Sequence, residues 1–163
     1  NAVHEDPKVK ALVYVAAFAP DKGETAIELS GRYPGGTLGP TLAAPVLLDG
    51  GNKDLYIQQD KFGQQFAADV PADAAVLMAA TQRPISEAAL TEASGEPAWK
   101  KLPSWFIYGS ADKNIPEAAL KFMAERAGSK KTVTVPGASH VVMTSNPEKV
   151  AALIVEAAQA TAD

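Results

Sequence analysis

Trp105-Phe106-Ile107-Tyr108-Gly109-Ser110-Ala111-Asp112, followed further along by Pro136-Gly137-Ala138-Ser139-His140, is the stretch from which the fold is read. Residues 105–108 are apolar and aromatic without alternation, the pattern of a short strand buried on both faces, and Gly109-Ser110 ends it. Asp112 then lies in the loop just past that strand's C-terminal end. Asn114-Ile115-Pro116-Glu117 opens a helix, with proline in the first turn and an acid near the positive end of the dipole. Ala119, Phe122, Met123 and Ala127 form one apolar stripe along it, Arg126 occupies its last turn and Gly128 stops it. Thr132-Val133-Thr134-Val135 is a second strand, and Pro136-Gly137 turns the chain toward His140.

Strand, helix and strand within about 30 residues make a βαβ unit with parallel strands and a right-handed crossover. Neighbouring strand ends lie roughly 5 Å apart, so loops leaving the same end bring Asp112 and His140 within reach of each other. An aspartate that holds a histidine in one tautomer is the rear half of an acid–base pair. The same spacing also suits an aspartate that caps the following helix beside a histidine satisfied by backbone.

The wording of three segments narrows this. Tyr-Gly-Ser-Ala-Asp-Lys-Asn-Ile-Pro at 108–116, Val-Pro-Gly-Ala-Ser-His at 135–140, and Ser145-Asn146-Pro147 opening a final helix resemble the closing part of α/β-hydrolase-fold enzymes. The resemblance is to the branch of small bacterial esterases, plant methylesterases and hydroxynitrile lyases, and it runs through most of the chain from Lys10 onward. It implies a truncated α/β-hydrolase fold: a short, mainly parallel sheet with flanking helices and a helical cap insertion. It implies Asp112 as catalytic acid and His140 as catalytic base, a small ester as substrate, and no cofactor. A metal is not expected either, because two histidines with scattered acids give no zinc spacing.

Composition sets wider bounds. The 163 residues, 47% apolar, suffice for one core and one domain. A net charge of −4 argues against nucleic acid and leaves no polybasic membrane patch. No apolar run approaches the roughly 20 residues that span a bilayer. Cysteine is absent. With nothing resembling a signal peptide near Asn1, a cytoplasmic location is the expectation.

Within the single domain, residues 1–20 and 98–163 are expected to form the sheet core, and 21–97 the cap. Residues 1–8 read as a polar loop or helix exit with His4 solvated, and Val9–Phe18 as a strand buried on both faces. In the insertion, a short helix is expected over Thr25–Tyr33, a hairpin arm at Val46–Leu48, and helices over Asp54–Ala68, Asp73–Thr81 and Ser86–Thr91. Tyr56, Phe62, Phe66 and Met78 are candidate walls of an apolar pocket beneath a mobile cap, or simply the cap's own core. The final helix, from Asn146-Pro147-Glu148, packs Val150, Leu153, Ile154 and Ala157 on the sheet and frays over 159–163.

A serine hydrolase of this fold needs a nucleophile elbow, Gly-x-Ser-x-Gly. None of Ser30, Ser94, Ser110 and Ser139 has glycine on both sides at that spacing. The resemblance places the elbow just before the segment Asp6–Lys10, so the chain is expected to start after it. Strand 9–18 would then carry an unpaired edge that seeks a complementing N-terminal segment or a second copy. Three readings follow: an ester hydrolase whose serine lies outside this chain, a weak esterase using Ser110, Ser139 or another loop serine, or a noncatalytic remnant or binding module. Lyases and cofactor-free haloperoxidases of the family share the acid and base, so the fold alone does not choose the reaction.

Overall fold

The protein is described here by a computed structural model covering residues 2–162. Asn1 and Asp163, at the ends of the expected polar N-terminal stretch and fraying C-terminus, lie outside the described residues. In chain order the elements are β1 (Leu12–Val15), α1 (Ala26–Gly31), β2 (Val46–Leu47), β3 (Lys53–Leu55), α2 (Gln59–Phe66), α3 (Ala72–Thr81), β4 (Ile85–Ser86), α4 (Glu87–Thr91), β5 (Ser104–Gly109), α5 (Glu117–Arg126), β6 (Lys131–Val135), α6 (Val142–Ser145) and α7 (Pro147–Ala160). None of the described helices is long and apolar enough to cross a membrane.

β1, β5 and β6 form a parallel sheet in the order β1-β5-β6. All six residues of β5 are buried, as its unbroken apolar run predicts. Its side chains alternate between two cores. Phe106 and Tyr108 join Ala119, Leu120, Met123 and Ala124 of α5 on one face, where Tyr14 stacks on Phe106 with ring centroids 4.4 Å apart. Trp105 and Ile107 join Val150, Leu153 and Ala157 of α7 on the other. On α7, Ile154 is 47% exposed rather than packed on the sheet. Three apolar positions along the helix already cover the narrow β1–β5 surface on which α7 packs, and a fourth falls outside it.

β1 departs from its expectation in two ways. It is four residues long and only half-buried, and it ends at Ala16, which takes a left-handed φ of 44°. Ala16 still donates its N–H to Ile107 O, 2.9 Å away, so the kink turns the chain out of the sheet without losing the ladder bond. His4, expected to be solvated, has only 22% of its side chain exposed, with Nδ1 3.7 Å from Glu5.

Residues between β1 and β5 leave and return through one neck. Gly23 N–H donates to Ser94 O (2.8 Å) and Ser94 N–H to Glu24 O (2.9 Å). Beside it Arg126 of α5 grips both oxygens of Glu24 (2.9 and 2.8 Å) and donates to Ala19 O (2.8 Å), with its guanidinium against the Trp99 and Phe122 rings. The inserted segment holds a second, antiparallel sheet, β2-β3-β4. The hairpin arm at 46–48 is thus present. The helix expected from Asp54 starts only at Gln59, because residues 53–55 pair as β3, and the helix expected from Ser86 starts at Glu87, after β4. α1 begins on a capping box, in which Thr25 and Glu28 satisfy each other's backbone N–H groups.

Candidate active site

The loops after β5 and β6 are drawn together by backbone. Ser110 N–H donates to Val135 O and Ala111 N–H to Ala138 O, each at 3.0 Å, while Gly137 N–H donates to Ser110 Oγ at 2.8 Å. Only glycine permits this approach at position 109. A Cβ there would stand 2.0 Å from Ala138 O.

This closeness sets Asp112 against His140. Asp112 Oδ2 lies 2.7 Å from His140 Nδ1, with the carboxylate side chain 0% and the imidazole 19% exposed. The other carboxylate oxygen, Oδ1, accepts from the N–H groups of Asn114 (2.8 Å) and Ile115 (3.0 Å) at the mouth of α5. The helix-capping and histidine-holding readings therefore both hold, one for each oxygen. A carboxylate is an acceptor only, so the bond at Nδ1 fixes the proton there and leaves the lone pair on Nε2. Nε2 makes no hydrogen bond to the described residues. The ring packs on Phe66, centroids 4.8 Å apart.

The serines considered as local nucleophiles do not meet this imidazole. Ser139 is buried and donates its hydroxyl to Asp69, and Ser110 Oγ is taken by Gly137 N–H. Of the four expected pocket residues, Phe66 alone is in ring contact with His140. Phe62 is buried in the inserted segment's own core, and Phe66 and Met78 pack against that core. Val141, next to His140, belongs to the same core, so the inserted segment rests on the base loop. Among the described residues no group of His, Asp and Glu could hold a metal ion.

Two polar residues escaped the sequence reading. Gln65 is 4% exposed; it accepts from Thr37 Oγ1 (2.9 Å) and donates to Lys113 O (3.0 Å) and Asn114 Oδ1 (2.8 Å), within the acid loop. Asp69 accepts from the Ser139 hydroxyl, and the Ser145 hydroxyl and Ser139 N–H are further donors near its carboxylate. Partial burial pushes its carboxyl upward, but those donors outweigh it and hold the group below the ordinary aspartate range. Neither residue lies in a motif or on a periodic face, so only the folded chain shows them.

Solved structures with the same architecture include polyneuridine aldehyde esterase (16% identical, TM-score 0.73, 91% of this chain and 62% of that one). Tomato methylketone synthase I (17%, 0.73, 99% and 66%) and a methylesterase from Arabidopsis (16%, 0.66, 93% and 60%) are similar in the same way. The chain thus spans about 60–66% of the length of these structures. No curated protein sequence matches it significantly. Over residues 2–153, however, the sequence matches a family whose description fits the sheet, its crossover and the paired loops, and the chain belongs to the alpha/beta hydrolase family.

Proposed function

We propose that the chain carries the acid and base of an ester hydrolase, with the attacking hydroxyl supplied from outside the described residues. What supports this most is the 2.7 Å contact between Asp112 and Nδ1 of His140, with Nε2 left unbonded. In the proposed reaction Nε2 takes the proton of the attacking hydroxyl as that oxygen adds to the ester carbonyl. Asp112 stabilises the imidazolium that forms. Nε2 then returns the proton to the leaving alkoxide, and the acyl group is released when water repeats the cycle. These steps call on no metal or cofactor. Esterases among the structural neighbours favour an ester over other carbonyl substrates.

Hydrolysis of a chromogenic carboxylic ester, before and after His140→Ala, tests the reading. A loss of about 10²–10⁴ is expected in any preparation that holds the nucleophile. An unchanged rate removes His140 from the mechanism.

We also propose that the outer edge of β1 receives a further strand, from a complementing segment or a second copy. Leu12 and Ala16 direct their N–H groups toward β5, so by alternation Val13 and Val15 direct theirs away from it, where the sheet has no further strand among the described residues. Sedimentation and amide exchange of this chain test the idea. Fast exchange at Val13 and Val15 in a strict monomer, with slowing on association, is expected; slow exchange in the monomer refutes it.

A further inference from the structure

Three residues of one short segment reach both loops of the acid–base pair. Gln65, in the last turn of α2, bonds to Lys113 and Asn114 beside Asp112. Phe66 packs on the His140 ring. Asp69, in the turn leaving α2, accepts from the hydroxyl of Ser139, the residue before His140, with the Ser145 hydroxyl of α6 near the same carboxylate. The first contact is neutral and buried; the last is charge-assisted, and hydrogen bonds of that kind are about twice as strong as neutral ones. Gln65 has its amide oxygen and nitrogen satisfied, which fixes its orientation as well as its place.

We propose that the segment Gln65–Asp69 is the positioning device of the Asp112–His140 pair, Gln65 setting the acid loop and Asp69 the base loop. The proposal rests on the acid–base reading above and adds to it a role for residues that touch no substrate. His140 Nδ1 must meet Asp112 Oδ2 across two loops, and the β5–β6 backbone bonds end at Ala138. From Ser139 onward the base loop is held on one side by Val142, fully buried in the core between the sheet and α7, and on the side of the insertion by Asp69 and the Val141 contacts, which are left to set the bearing of the ring between them. With Asp69 ionised, the serine hydroxyls have a fixed acceptor and the imidazole a fixed bearing. The insertion therefore stays docked while the pair is set, in contrast to a lid that swings free of it. A substrate must enter with residues 65–69 in place.

The test reads the imidazole directly in this chain and needs no turnover. Only His4 and His140 are present, so comparison with His140→Ala assigns the ring nitrogens of His140 in a ¹⁵N long-range correlation spectrum. At a pH where the ring is neutral, the parent should show the Nδ1–H tautomer. Asp69→Ala should lower the ratio of Nδ1–H to Nε2–H roughly tenfold, the effect of loosening one charge-assisted bond. Asp69→Asn, which keeps one acceptor oxygen, should fall between the two, and it replaces the alanine variant if that fails to fold. Gln65→Met should lower the same ratio from the acid side. Arg32 donates to Glu24 at the neck (3.0 Å), away from both loops, so Arg32→Ala should leave the ratio unchanged.

A folded Asp69→Ala with the parent ratio, or an Arg32→Ala loss equal to it, overturns the positioning role while the pair stands. A parent without the Nδ1–H tautomer overturns the acid–base reading itself, and the positioning role with it.

Discussion

Gly109→Ala is the sharpest test of how the site is built. The added Cβ would stand 2.0 Å from Ala138 O, 2.5 Å from its carbonyl carbon and 2.7 Å from Ser139 O, where an ordinary contact begins at 3.4 Å. All three atoms are backbone, so no side chain can swing aside. The base loop must retreat by about 1 Å or more, which breaks the Ala111–Ala138 bond and strains the Ser110–Val135 bond. Overpacking costs about 1–3 kcal/mol, and each lost hydrogen bond about 1 kcal/mol. The stiffer unfolded chain returns about 0.4–1 kcal/mol. The net expectation is a loss of about 3 kcal/mol, with His140 moved off Asp112. Urea unfolding followed by Trp99 and Trp105 fluorescence gives the stability, and Gly39→Ala is the control. A Cβ at Gly39 meets nothing within 4 Å, and its effect should stay within about 0.5 kcal/mol. A Gly109→Ala loss below about 1 kcal/mol at unchanged m, with the His140 tautomer intact, would refute the reasoning.

Three further outcomes are expected. Arg126 and Arg32 hold Glu24 down at about 2, so its stabilisation is complete above the ordinary glutamate range and disappears as pH falls toward 2. With 18% of the Glu24 side chain exposed, screening trims the contribution to about 1–2 kcal/mol. Glu24→Gln should cost that much at pH 7, with the gap to wild type closing between about pH 4.5 and pH 2 in unfolding curves; a gap independent of pH contradicts the assignment. Asp112→Asn can still accept from Asn114 and Ile115 through Oδ1 but turns an N–H toward His140, favouring the wrong tautomer. Ester turnover should drop by about 10³–10⁴ with the fold kept, and a loss under about tenfold would exclude the role. Leu120→Ala empties a fully buried site under the sheet and should lower stability by about 2–5 kcal/mol by urea titration.

The sheet and the pair were legible because their determinants are local. An unbroken apolar run, a helical stripe and a glycine-bounded turn each state their element within a few residues, and the parallel run of the two strands puts Asp112 and His140 on one rim. The inserted segment was less legible. β4 is two residues long and pairs only because β3 is beside it, so no run of sequence announces it. β3 took residues that read as the start of a helix, since pairing decides the state of three residues where propensity is weak. Ile154 shares a helical stripe with Leu153, and only the width of the sheet tells them apart. Gln65 and Asp69 are single polar residues whose partners lie far along the chain, in loops that sequence can place but not orient.

The two bonds that Ser94 makes, accepting from Gly23 N–H and donating to Glu24 O, give the molecule a narrow waist. Just beyond that waist α1 sends Leu29 back into the core with Phe106 and Leu120; past it, the excursion is closed at the same distance whether it is short or long. Changes of length within residues 34–93 are therefore expected to leave the strand order untouched, provided that the contacts onto the two loops are kept.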